Sequence, residues 1–193
     1  MNQTATVLAI AAEFIGLSAN ANQVLYVVRK KTTKGISGWS WTLGLGGNIA
    51  WVVYGLQKSI YVLVVANAII VVIASYMLTK LYLQGKERKR MMLYALLVGT
   101  GLSVMFLSFR SLSGWLAFAY GTIARLPQLY RAGNDKSLKG LSPGSQISFF
   151  VENGLTMGYA LILYAWPVFM AALVGVFSSS YIVFQVAKKG SKT

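Results

Sequence analysis

The stretch that decides the fold begins with Pro127-Gln128-Leu129-Tyr130, continues to Gly140-Leu141-Ser142, and ends with Glu152-Asn153 and Tyr159. The first half of the chain contains a fainter copy, displaced by one constant offset of 105 residues (128 − 23). The matching pairs are Gln23 and Gln128, Gly35 and Gly140, Ser37 and Ser142, Asn48 and Asn153, and Tyr54 and Tyr159. Because the offset holds across a helix, a loop and a second helix, the sequence predicts one structural unit used twice.

The composition indicates an integral membrane protein. Hydrophobic residues make up 56% of the 193 residues and charged residues only 11%, whereas soluble domains carry about 25% charged residues. Seven apolar segments are long enough to cross a bilayer as helices, which takes about 20 residues each. They span residues 4–28, 36–56, 60–83, 91–109, 112–130, 141–164 and 167–187. We therefore expect an all-α membrane protein with seven transmembrane helices.

The offset places segments one to three on segments five to seven and leaves segment four as a linker. Three spans invert the chain, so a fourth crossing restores the orientation of the second triplet. We expect two parallel three-helix repeats, an architecture in which transporters place the substrate site at mid-membrane. The predicted division is 1–84 for the first repeat, 85–110 for a basic loop and linker helix, and 111–193 for the second repeat with a basic tail.

The basic residues alternate between the two sides of the membrane. Of 18 Lys and Arg residues, 15 lie at or after the ends of odd-numbered segments or in the tail. The opposite side carries only Lys58 and Arg110, and Arg125 lies within a segment. The positive-inside rule then predicts an external N-terminus and a cytoplasmic C-terminus, and we expect the plasma membrane. The net charge of +14 does not indicate nucleic-acid binding, because the charges lie in separate loops.

The chain contains neither cysteine nor histidine. Disulfides, thiolate chemistry and histidine proton relays are therefore excluded, and no metal site is expected. No nucleophile and base can be paired from the remaining residues, so an enzyme is not expected. We also expect no cofactor.

The motifs resemble a known family. The first triplet carries Asn22-Gln23-Val24-Leu25-Tyr26-Val27-Val28, Gly35-Ile36-Ser37, Trp51-Val52-Val53-Tyr54-Gly55 and Ala66-Asn67, and the second carries Pro127-Gln128, Lys136-Ser137 and Gly140-Leu141-Ser142-Pro143. With these motifs the chain resembles the SWEET and SemiSWEET sugar transporters of the PQ-loop group over nearly its whole length. The resemblance implies facilitated diffusion of a mono- or disaccharide by alternating access.

The resemblance also implies where the sugar binds. Trp51 matches an aromatic that stacks on the sugar face, and Asn67 matches an amide that bonds sugar hydroxyls. The positions 105 residues later hold Thr156 and Ala172 instead, so the pseudo-symmetric pair is half missing. The complete expected set of substrate-binding residues is Trp51, Asn67, Thr156, Glu152, Glu13 and Gly47.

Other polar residues are expected to move or to hold the helices. Prolines in apolar segments free a backbone carbonyl and bend the helix. The expected hinge and gating residues are Asn22, Gln23, Pro127, Gln128 and Pro143. The expected structural polar residues are Asn48, Asn153, Tyr54, Tyr159 and Arg125, with the two asparagines joining helices.

Three charges inside the segments leave two explanations open. A charge at mid-membrane costs about 2.5–3.5 kcal/mol on insertion scales and indicates a functional site. Glu152 and Arg125 can form a structural pair, or Glu13 and Glu152 can bind a proton or attract a cation. The second explanation would fit an alternative function, a proton-coupled PQ-loop transporter of amino-acid-like or cationic solutes. A peptide-binding retrieval receptor ranks lower, since the external loops hold only Lys58 and Arg110. The expected partners are a small solute and the lipid bilayer, with a homo-oligomer left open.

The predicted topology can be tested by cysteine labelling, because the native chain offers no competing thiol. Gln3→Cys and Lys58→Cys should react with an impermeant thiol reagent applied to intact cells. Lys86→Cys and Lys136→Cys should react only after the membrane is permeabilised. Labelling of the second pair in sealed cells would contradict the external N-terminus.

Overall fold

The computed structural model describes residues 3–83, 112–135 and 138–190. These residues form six helices, which are α1 (Gln3–Lys30), α2 (Gly38–Lys58), α3 (Tyr61–Leu83), α4 (Ser113–Asn134), α5 (Pro143–Ile162) and α6 (Trp166–Gly190). The predicted all-α class is confirmed. The predicted linker helix at 91–109 lies outside the described residues, so the count of seven helices stays a prediction.

The helix ends follow local chemistry more closely than they follow the apolar segments. α1 and α6 extend past their apolar runs and end on basic residues, Arg29 and Lys30 in one and Lys188 and Lys189 in the other. Cations there interact favourably with the negative end of the helix dipole. α5 starts at Pro143, with Ser142 as its cap: the Ser142 hydroxyl accepts from the Ser145 N–H at 3.2 Å.

The helices present apolar side chains outward. By length and composition, three helices among the described residues suffice to cross a membrane: Gln3–Lys30, Tyr61–Leu81 and Trp166–Lys189. Large apolar side chains such as Phe14, Val72 and Phe177 are about 70% exposed. Residues of this kind on outward faces fit contact with lipid.

The chain forms two compact units, and the first consists of residues 1–37 and 126–193. In this unit α1 packs on α5, and α5 packs on α6. Small residues form the buried face of α1, namely Ala5, Ala9, Ala12, Gly16 and Ala19. Such a face lets helix backbones approach closely, which is how membrane helices gain packing energy.

The second unit consists of residues 38–125. Here α2 packs on α3, and Ala50 of α2 and Ala117 of α4 are fully buried together. A Cβ atom placed on Gly47 would lie 3.6 Å from the backbone of Gly121. The absence of side chains at both positions therefore permits the close approach of α2 and α4.

Each unit combines helices from both sequence repeats. α1 of the first repeat shares its unit with α5 and α6 of the second, while α2 and α3 share their unit with the first part of α4. The contact of Gly16 with Glu152 and that of Gly121 with Gly47 are related by the 105-residue offset. The two helix pairs are thus the same packing used twice, with the first helix exchanged. The predicted repeat boundaries remain a prediction, since compact units and sequence repeats divide the chain differently.

One packing prediction concerns Gly175 of α6. A Cβ there would overlap the side-chain amide of Asn153 on α5. Gly175→Ala should therefore lower the free energy of unfolding by about 1–3 kcal/mol, the usual cost of overpacking.

Gly154→Ala is the matched control on α5, because nothing lies within 4 Å of the added methyl. It should change stability by less than about 1 kcal/mol, in the stabilising direction expected of a helix interior. Thermal unfolding in detergent measures both variants. Equal melting temperatures for the two would contradict the packing of Asn153 on Gly175.

Candidate functional site

Gln23 and Gln128, which lie 105 residues apart, each bind a loop from the other sequence repeat. The Gln23 amide donates to the carbonyl of Gly140 at 2.7 Å, and its oxygen accepts from the N–H of Ser142 at 3.0 Å. The Gln128 amide donates to the carbonyl of Gly35 at 2.9 Å, and its oxygen accepts from the N–H of Ser37 at 2.9 Å. All four bonds obey the 105-residue offset. We call this arrangement the glutamine pair.

The loops bound by the glutamine pair also contact each other. The N–H of Gly140 donates to the carbonyl of Lys34 at 2.9 Å, and a Cβ on Gly140 would lie only 2.8 Å from that oxygen. Gly35 has a φ of 86°, which glycine adopts without steric cost. Arg131 adds a bond to the carbonyl of Ile36 at 2.7 Å. The loop ends of α1 and α4 are therefore fixed together by backbone-directed bonds.

A lysine outside the sequence predictions closes the end of α4. The Lys189 ammonium donates to the carbonyls of Ala132, Gly133 and Asp135 at 2.7, 2.9 and 2.8 Å. These carbonyls lie at the C-terminus of α4, where a helix has acceptors without intrahelical donors. The sequence marked Lys189 only as one of the basic residues of the tail. A position in the last turn of a long helix was the available signal.

The expected hinge residues occupy different structural settings. α4 continues through Pro127 from Ser113 to Asn134, and the division between the two compact units falls two residues before it, after Arg125. Proline cannot donate the backbone bond of a regular helix, so α4 is weakest there. Asn22 is exposed on α1, and Pro143 forms the first turn of α5. Their gating roles remain predictions.

The residues expected to bind sugar fall in both units: Glu13, Glu152 and Thr156 lie on α1 and α5 of the first unit, and Gly47, Trp51 and Asn67 lie on α2 and α3 of the second. Trp51 is half-buried, and its ring meets Tyr54 edge-on with centroids 5.6 Å apart. The Trp51 ring nitrogen comes within 3.9 Å of the Cβ position of Gly121. Asn67 is buried, and its amide donates to the carbonyl of Leu63 at 2.8 Å. This bond holds the amide along its own helix and leaves its oxygen as the remaining polar group.

The asparagines expected to join helices bond within their own helices. Asn48 donates to the carbonyl of Gly44 at 2.6 Å, and Asn153 donates to the carbonyl of Phe149. Asn153 also donates to a Glu152 carboxylate oxygen at 2.9 Å. Tyr54 and Tyr159 are both buried. The two asparagines share the same bond to the preceding turn, as their equivalent positions suggest, and Asn153 reaches α6 by packing on Gly175.

The two acids within the helices, Glu13 and Glu152, lie on α1 and α5 of the first unit. Glu13 is 9% exposed, and it experiences electrostatic repulsion from Glu152. The Glu152 side chain lies against α1, with its Cγ 3.0 Å from the Cβ position of Gly16. Glu152 and Arg125 each have further interactions, and their mutual pairing stays a prediction. Within the described residues, no cluster of three or more acidic, His or Cys side chains is placed to hold a metal.

The helix arrangement is similar to that of a solved membrane transporter. Structural comparison matches the chain to "The 3.7 A resolution structure of a eukaryotic SWEET transporter", with a TM-score of 0.75, 14% sequence identity and 97% of each chain covered. At this identity the match shows the fold alone, which is that of a SWEET transporter.

Family comparison agrees with the fold. Residues 4–90 match the family described as "Sugar efflux transporter for intercellular exchange", and residues 109–169 match the PQ loop repeat. The resemblance to SWEET transporters within the PQ-loop group is therefore confirmed. Comparison with curated protein sequences gives no significant match.

The glutamine pair leads to a prediction about hydrogen-bond polarity. Gln128→Glu keeps the size and one acceptor but removes the N–H that binds the carbonyl of Gly35, so two oxygens then face each other. We expect a loss of about 1–3 kcal/mol in unfolding free energy. Gln23→Glu should cost a similar amount, because it faces Gly140 in the same way.

Asn134→Ala serves as the control. It removes a side-chain bond to the Tyr130 carbonyl within an exposed helix end, so the expected loss is below about 1 kcal/mol. Thermal unfolding compares the three variants. Unchanged melting temperatures in both glutamate variants would contradict the structural importance of the pair.

Proposed function

We propose that the protein transports a mono- or disaccharide across the membrane by facilitated diffusion. The observation that carries this proposal is the match of residues 4–90, which include Trp51 and Asn67, to the sugar efflux transporter family. The fold is that of a SWEET transporter over 97% of the chain. Family and fold are those of a membrane transporter and not of an enzyme. They favour a sugar over the amino-acid-like or cationic solutes of other PQ-loop transporters.

The proposed mechanism is alternating access by two parallel three-helix repeats and a linker helix, seven helices in all. Support comes from α4, which belongs to both compact units and contains Pro127 next to the division between them. A helix lacking one backbone bond can bend there without losing others. The glutamine pair and Lys189 fix residues 126–134 to the first unit, so bending of α4 concentrates at Pro127. Asn22 and Pro143 are retained as gating residues of this mechanism.

The proposed sugar site is asymmetric. Trp51 supplies an aromatic face for the CH groups of a pyranose, and Asn67 supplies an amide oxygen for its hydroxyls. The equivalent positions of the second repeat hold Thr156 and a buried Ala172, which offer one hydroxyl and no amide. Gly47 contributes by the close approach that it allows to Gly121, whose Cβ position lies 3.9 Å from the Trp51 ring nitrogen. Glu13 and Glu152 remain predicted substrate-binding residues of the first unit.

The proposed setting is the plasma membrane, with an external N-terminus and a cytoplasmic C-terminus. The charge asymmetry of the loops supports this orientation. The loop ends bound by the glutamine pair would then face the cytoplasm. The proposal covers the single chain and leaves homo-oligomer formation open.

Transport can be measured with purified protein in liposomes and a panel of labelled mono- and disaccharides. Wild-type protein should equilibrate one or more sugars, and a protonophore should not change the rate. Trp51→Ala and Asn67→Ala should each reduce uptake about tenfold or more, since losing roughly 1.4 kcal/mol of binding corresponds to that factor. Absence of sugar uptake in active liposomes, or accumulation that a protonophore abolishes, would contradict facilitated sugar diffusion.

Two controls separate the site from general damage. Trp115→Ala removes an exposed tryptophan of α4 and should leave uptake near the wild-type rate, while melting temperatures verify folding. Thr156→Ala and Ala172→Ser test the asymmetry, and both should have weaker effects than the changes at Trp51 and Asn67. Equal losses at all four positions would show that the two repeats contribute alike.

A further inference from the structure

The contact of α1 with α5 brings the side chains of Glu13, Glu152 and Thr156 to within about 6 Å of one another along the helix axes. Leu8 lies 3.6 Å from the Cβ position of Gly158, and Gly16 lies against Glu152, so the two helices run antiparallel. Moving from this second contact toward the first, Glu13 lies about 4.5 Å along α1 and Thr156 about 6 Å along α5. Glu13 therefore lies at a level between Glu152 and Thr156.

Two of these side chains are buried, and the part of the chain that the structure describes offers neither a hydrogen-bond partner. The Thr156 side chain is 8% exposed, and its hydroxyl oxygen is buried with no partner among the described residues. Glu13 is 9% exposed, and the hydrogen bonds of the described residues include none to its carboxyl group. Thr156 lies one turn from Glu152 on the same face of α5. Buried polar groups are normally bonded, and an orphan calls for a ligand or an ion.

Helix packing alone does not require these polar groups. The equivalent pair of helices, α4 and α2 in the second unit, carries Phe118, Gly47 and Trp51 at the positions of Glu13, Glu152 and Thr156. The same crossing is therefore built from apolar side chains elsewhere in this chain. Two acids at a membrane-buried crossing are costly, so a role other than packing is indicated.

Near the level of Glu13 and Glu152, α1, α5 and α6 carry no basic residue to balance the two acids. α5 carries no other charged residue, α6 carries none before Lys188, and α1 carries basic residues only at Arg29 and Lys30. Whatever group pairs with Glu152, the repulsion between the two acids leaves Glu13 in need of a positive charge. A carboxylate in a low-dielectric interior must be neutralised or paired.

We propose that Glu13, Glu152 and Thr156 form a binding site for one monovalent cation, a sodium ion or a proton, which holds α1 and α5 together. Two carboxylates and a hydroxyl supply the oxygen atoms that hard cations prefer. The cation stabilises the folded transporter, while the sugar gradient still drives transport. The site goes beyond the proposed sugar function, and its binding can be measured without sugar.

The experiment measures the melting temperature of purified full-length protein in sodium chloride, in choline chloride of equal ionic strength, and at two pH values without sodium. A cation that binds only the folded state should raise the melting temperature by about 3–6 °C at roughly ten times its dissociation constant. A sodium site predicts a rise with sodium concentration that saturates. A proton site predicts a rise on acidification and no response to sodium.

Variants assign the response to the cluster. Glu13→Gln should abolish the sodium or acid response, and Thr156→Val should weaken sodium binding roughly two- to tenfold while sparing a proton response. Thr122→Val is the matched control, because its hydroxyl is also buried and without a partner among the described residues, but lies on α4. It should leave the response at the wild-type size.

Two results would overturn the proposal. One is a wild-type melting temperature that responds neither to sodium nor to acid. The other is a response that Glu13→Gln leaves intact, or, if that variant fails to fold, a sodium response that Thr156→Val and Thr122→Val change equally. Sugar uptake that fails while the cation response persists would contradict the sugar function alone.

Discussion

The first compact unit depends on the reciprocal hydrogen bonds of Gln23 and Gln128. A side-chain amide has one donor and one acceptor edge, so it can satisfy the carbonyl of a glycine and the N–H of a serine two residues later. Each glutamine does this for the loop of the other repeat. The two loops therefore have to form together, since the glutamine that binds each loop lies on the helix that leads into the other loop.

The exchange of the first helix gives the same packing two different chemistries. One crossing carries Gly47 and Gly121 and is filled by apolar side chains, including Trp51. The other carries Glu152 against Gly16, with Glu13 and Thr156 nearby. One copy of the crossing is therefore aromatic and the other acidic.

The sequence predicted the repeat, the helical class and the approximate ends of six helices, because these depend on spacing and hydropathy. It also paired Gln23 with Gln128 and Ser37 with Ser142, but it gave no sign that the bonds cross between repeats over 91 to 119 residues. The bonds of Asn48 and Asn153 to their own helices depend on rotamers, which spacing does not encode. Gly16 and Gly121 also satisfy the offset, but a glycine has no side chain whose chemistry marks it as a helix contact in the sequence.

Helix exchange also constrains how the chain is made. α1 leaves the ribosome before α5, yet its packing surface fits α5, and 139 residues (152 − 13) separate Glu13 from Glu152. At about 5–20 residues per second, synthesis of that interval takes roughly 7–28 s. During that time a helix with an acid at its centre waits in or beside the insertion machinery without its intended neighbour. Biogenesis of this protein therefore requires that α1 be held until α5 has been made.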